Sequence, residues 1–130
     1  MQKHILRWLQ AKLFFRNTAV IATFIVVYLS LSPSSGNKPW TLLAIRGDLV
    51  LHFICYFGIT VLYFAAFFTF KKTLQKAFFS SILLGFILEL LQLIPMFNRF
   101  FDILDLLANG LGVGFGIVLG IWLKRIFKKG

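Results

Sequence analysis

Four long apolar runs, separated by short basic or turn-forming segments, dominate the pattern of this chain. Each is close to the roughly 20 residues that cross the hydrocarbon core of a bilayer as a helix. They predict transmembrane helices at about 17–32, 49–70, 77–97 and 105–123. Ahead of the first run, Lys3, Arg7 and Gln10 are set against Ile5, Leu6, Trp8, Leu9 and Leu13, the pattern of an amphipathic helix lying in the interface. No small-residue cleavage site follows Leu31, so the first span is expected to be retained rather than removed as a signal peptide. Pro33 closes that span, and PSSGNKPWTLLAIRG, from Pro33 to Gly47, reads as the longest loop, with Trp40 at an interface. Pro95 lacks an amide hydrogen and its ring clashes with the preceding turn, so the third span should end or kink there. The expected protein is all-α, with an interfacial segment at 1–16, a four-helix membrane domain at 17–123 and a basic tail at 124–130.

Composition agrees with this. Of 130 residues, 59% are apolar and 18% aromatic, and the mean hydropathy is +0.87. The formal charge of +10 would suit a nucleic-acid partner if the basic residues formed one patch. They lie between the apolar runs instead. Lys3, Arg7, Lys12, Arg16, Lys71, Lys72, Lys76, Lys124, Arg125, Lys128 and Lys129 fall on one predicted side, and only Lys38, Arg46 and Arg99 on the other. The positive-inside rule then places both termini in the cytoplasm, makes anionic headgroups the natural partners of the basic flanks, and removes the reason to expect nucleic-acid binding. The single cysteine, Cys55, lies inside a span and reads as a small core residue.

Polar residues inside the spans carry the chemistry. Three of the four acidic residues fall between Glu89 and Gly116, and a carboxylate at membrane depth costs on the order of 2.5–3.5 kcal/mol on insertion scales. Asp48, His52 and Tyr56 are spaced by four and form one stripe on the second helix. At 1.5 Å per residue, His52 lies about 6 Å and Tyr56 about 12 Å below Asp48, and Glu89, counted back from Phe97, also lies about 12 Å deep. Glu89 and Gln92 share a face of the third helix, while Arg99, Asp102, Asp105 and Asn109 recur at helical spacing into the fourth. Convergence of these faces on one outward-facing pocket is expected, since isolated charges would otherwise have no partner. Further along the fourth helix, Gly112, Gly116 and Gly120 repeat every four residues, with Gly110 and Gly114 on a second side, as in close helix packing.

These residues carry a resemblance. D-x-x-x-H-x-x-x-Y from Asp48 to Tyr56, then E-x-x-Q at Glu89 and R-x-x-D-x-x-D-x-x-x-N-x-x-G-x-x-x-G from Arg99 to Gly116, resemble the VanZ-like family. Leu49 stands where the family often has Lys, and Phe97-Asn98 where it often has Pro-Gly. The resemblance implies a small multi-pass protein of a bacterial cytoplasmic membrane, with a role in the cell envelope. Because the founding member is associated with low-level teicoplanin resistance, it also implies a link to glycopeptide resistance.

The residues themselves support binding of a cell-envelope lipid or lipid-linked cell-wall precursor by its headgroup. Arg99 would pair a phosphate or carboxylate, and His52 and Glu89 are the candidates for moving a proton. Binding is favoured over catalysis, and whether the protein is an enzyme stays open. The alternatives are a membrane scaffold, in which Arg99 pairs with Asp102 or Asp105 and Glu89 with His52, and a small transporter or proton relay. His52, Glu89, Asp102 and Asp105 are of metal-ligating types, but no H-E-x-x-H or comparably tight spacing joins them, so no metal and no cofactor is expected.

Overall fold

The computed structural model of the chain describes residues 2–9, 11–31, 41–68, 71–94 and 103–129. A short helix α1 (Gln2–Leu9) precedes four long ones: α2 (Lys12–Leu31), α3 (Gly47–Ala66), α4 (Thr73–Leu91) and α5 (Ile103–Lys129). All four long helices are long and apolar enough to cross a membrane. Each keeps a wide apolar face turned outward, with Phe24 70% and Tyr28 73% exposed, as expected where lipid rather than protein completes the packing. The protein is a multi-pass helical membrane protein.

The helix ends follow local chemistry. Helix α2 begins at Lys12, ahead of the expected position 17, and so carries Arg16 on its first turns, where a long side chain can reach the headgroups. Helix α4 stops at Leu91, four residues before Pro95. The basic tail continues α5 to Lys129. Between α3 and α4, the buried Thr73 donates its hydroxyl to the Phe67 carbonyl at 3.1 Å, with the Phe68 carbonyl at 3.4 Å, just past the end of α3. In the expected loop, residues 41–46 instead form a hairpin, β1 (Thr41–Leu42) with β2 (Ile45–Arg46), pairing Thr41 with Arg46 and Leu42 with Ile45. Its turn residues, Leu43 and Ala44, both have positive φ, 52° and 65°. Trp40 lies outside the described residues.

Helix α3 is the hub, packing most extensively on α5 and also on α2 and α4. Val26, Tyr56, Ile59, Leu88 and Val113, one or more from each long helix, make the central core, and Phe15, Ala19, Ala65 and Ala66 a second cluster nearer the α3 C-terminus. The close approach of α5 to α3 depends on glycine. A Cβ on Gly112 would collide with the Phe53 carbonyl, and one on Gly116 would lie 2.8 Å from Thr60 Cβ. A Cβ on Gly120 would meet Leu74 Cδ2 at 2.8 Å, whereas Gly110 and Gly114 face open space. Polar ties add register: Thr23 Oγ1 and Tyr63 OH are 2.6 Å apart across α2 and α3, and Gln92 Nε2 donates to the Ser30 carbonyl at 2.8 Å in the last turn of α2.

Candidate functional site

Helices α3, α4 and α5 bring one carboxylate each from α4 and α5 to an imidazole on α3. His52 lies in the second turn of α3, Glu89 in the last turn of α4, and Asp105 in the first turn of α5, where the helix dipole favours a negative charge. Asn109 lies one turn further along α5. Glu89 is therefore nearer the end of its helix than counting back from Phe97 implies, because α4 ends before Pro95.

The geometry is directional. His52 Nδ1 and Asn109 Oδ1 are 2.8 Å apart, Asn109 Nδ2 donates to Glu89 Oε1 over a long 3.5 Å, and His52 Nε2 stands 3.7 Å from Asp105 Oδ2. Turning the Asn109 amide over would set its oxygen against the Glu89 carboxylate, so the amide orientation and the His52 tautomer are fixed together. Nδ1–H donates to Asn109, and Nε2 is left facing Asp105. Glu89 is 2%, Asn109 3% and Asp105 7% exposed. One ligand atom from each of His52, Glu89 and Asp105 lies within 4.8 Å of the other two, making these the described His, Cys, Asp and Glu side chains close enough to share a cation.

Glycine again decides what can meet. A Cβ on Gly85, one turn before Glu89, would stand 3.1 Å from Tyr56 Cε1 and 3.5 Å from Asn109 Nδ2, so its absence lets both side chains reach α4. Ser81, a further turn away, is fully buried, and its hydroxyl has no hydrogen-bond partner among the described residues. Ser81, Gly85 and Asn109 line a cavity of about 230 Å³ between α4 and α5, bordered by the outward-facing Ile82 and Phe86. A larger cavity of about 360 Å³ lies beside Arg16, Thr23 and Tyr63, away from the polar cluster.

Of the residues singled out in the sequence, His52, Glu89, Asp105 and Asn109 meet, with Tyr56 buried beside them against Gly85. Asp48 is exposed in the first turn of α3. Gln92 turns its amide toward α2 rather than toward His52. Arg99 and Asp102 lie outside the described residues. Ser81 was not singled out from the sequence, although Ala77, Ser81, Gly85 and Glu89 recur every four residues and form the buried stripe of α4.

Fold and site together define a multi-pass helical membrane protein with a histidine–carboxylate–amide cluster buried at one end of its bundle. A family model described as VanZ/LLP1 matches residues 2–125, so the chain belongs to that family. No curated protein and no solved structure matches it.

Proposed function

We propose that the protein binds the polar headgroup of a cell-envelope lipid or lipid-linked cell-wall precursor at the cluster of His52, Glu89, Asp105 and Asn109. In this reading it sits in the cytoplasmic membrane of a prokaryote with both termini inside, and the end of the bundle that holds the cluster faces out. Family membership supports a contribution to glycopeptide resistance through such a ligand.

The observation that carries the reading is that two carboxylates from different helices are gathered into one buried cluster. Like charges so close oppose each other, and a buried ionic group is replaced at little or no cost by apolar packing where only stability is needed. A scaffold has cheaper ties, and the Thr23–Tyr63 and Gln92–Ser30 contacts already supply them. The neighbouring cavity between α4 and α5 is lined by Asn109 of the cluster. A relay across the membrane finds less support, because the described acidic residues, Asp48, Glu89 and Asp105, all lie at the same end of the bundle.

Native mass spectrometry with lipid identification tests this on the wild type, Glu89→Gln and Arg99→Ala. A specific phospholipid or polyprenyl-linked species should travel with wild type and be lost from both variants while they remain monodisperse. Identical bulk lipid on all three proteins would rule the headgroup site out.

A further inference from the structure

We propose that His52 Nε2, a Glu89 carboxylate oxygen and Asp105 Oδ2 form a binding site for a divalent transition-metal cation of the Zn²⁺ type, with Asn109 as the residue that positions His52. The cation would hold the headgroup's phosphate or carboxylate at its remaining coordination position. That bridging role rests on the headgroup reading, whereas the cation site rests on the geometry alone.

Three observations carry it. The first is orientation. Because Nδ1–H donates to Asn109 Oδ1 at 2.8 Å, a neutral His52 presents the lone pair of Nε2 to Asp105 Oδ2 at 3.7 Å. Two lone pairs facing each other repel unless a positive charge stands between them. A metal-ligating histidine usually has this arrangement, its second ring nitrogen bonded to an oxygen that fixes tautomer and ring plane. The second is convergence from three helices: one donor atom each from His52, Glu89 and Asp105 lies within 4.8 Å of the other two, and a tetrahedral ion with bonds of about 2.1 Å would hold three such atoms about 3.4 Å apart. Small side-chain rotations cover that difference, and Glu89, Asp105 and Asn109 are more than nine-tenths buried. The third is independent of the cluster's own bonds. The fully buried Ser81 hydroxyl, without a hydrogen-bond partner among the described residues, lines the same cavity as Asn109, the residue that positions His52.

The donor set selects the ion. One imidazole nitrogen with two carboxylate oxygens, leaving one position open, is the ligand count of a zinc site that accepts a further ligand. Mg²⁺ and Ca²⁺ prefer more ligands and all-oxygen shells, so they should bind more weakly here. Linear spacing could not show this, since the ligands are separated by 37 and 16 residues and meet only after α3, α4 and α5 pack.

The test uses the full-length protein in detergent, stripped with chelator and titrated with ZnCl₂, MnCl₂ and MgCl₂, followed by elemental analysis after desalting. Wild type should retain one Zn²⁺ per chain and bind Mn²⁺ more weakly and Mg²⁺ weakest. His52→Ala and the near-isosteric Asp105→Asn should lose the ion. Asn109→Ala should weaken it by about 10–100-fold, the usual effect of removing a group that orients a ligand, and His4→Ala should leave it unchanged. No stoichiometric ion on wild type, undiminished Zn²⁺ on monodisperse Asp105→Asn, or a preference for Mg²⁺ would each overturn the proposal. A retained ion without a specific co-purifying lipid would leave the site standing and remove the headgroup reading. A specific lipid without an ion would do the reverse.

Discussion

Glycines 110 to 116 of α5 have different surroundings although they follow one another at alternate positions. Gly112 stands where α5 passes the backbone of α3, so that a Cβ would overlap the Phe53 carbonyl, an atom that no side-chain rotation can move aside. Gly110 and Gly114 face open space. Gly112→Ala should therefore force α5 off α3 and lower the thermal midpoint in detergent. Gly110→Ala and Gly114→Ala should be neutral or stabilising by about 0.5–1 kcal/mol, the helix-interior difference between Gly and Ala. Thermal unfolding of the three variants checks this, and an equal loss in all three would show that the helix needs glycine for a reason other than contact with α3. The same contact holds Asn109, one turn away, against His52. Gly112→Ala should consequently weaken the site as well as the bundle.

At the scale of elements, backbone and sequence disagree in the hairpin between α2 and α3, as they do at Lys72, the left-handed residue that precedes α4. A two-residue turn with both central φ angles positive is normally filled by Asn-Gly or Asp-Gly, because a Cβ in the left-handed region costs roughly 1–2 kcal/mol. Here the positions are Leu43 and Ala44, and Leu43 is 90% exposed. Replacing Leu43–Ala44 by Asn-Gly should stabilise the hairpin by about 1 kcal/mol or more, read as slower proteolysis of the loop and a raised thermal midpoint. Destabilisation would mean that the exposed Leu43 is held by lipid or a partner and that the strain is offset by that contact. Three other helix ends show the opposite relation and lie where local signals place them. Thr73 bonds carbonyls just beyond α3, α4 stops short of Pro95, and Asp105 occupies the first turn of α5.

For the whole molecule, orientation follows from the basic residues. Lys71, Lys72 and Lys76 lie at the same end of the bundle as the C-terminal run, and the polar cluster lies at the other. The expected arrangement is both termini in the cytoplasm. A C-terminal green fluorescent protein fusion should be fluorescent and a C-terminal alkaline phosphatase fusion inactive, and the reverse pattern would place the cluster on the cytoplasmic side and remove an extracytoplasmic ligand from consideration. Four spans, their approximate limits and the basic flanks were legible in the chain because hydropathy and charge are local sums that hold whatever the neighbours do. The candidate polar residues were legible for the same reason, since each carries a cost in lipid that its own position declares. Which of them meet was settled by tertiary structure. Gln92 shares a turn with Glu89, yet it bonds Ser30 of α2 while Glu89 accepts from Asn109 of α5. Helix rotation and pairing depend on how side chains of different helices fit, on Gly85 and Gly112 admitting close neighbours, and no single run of sequence contains that information.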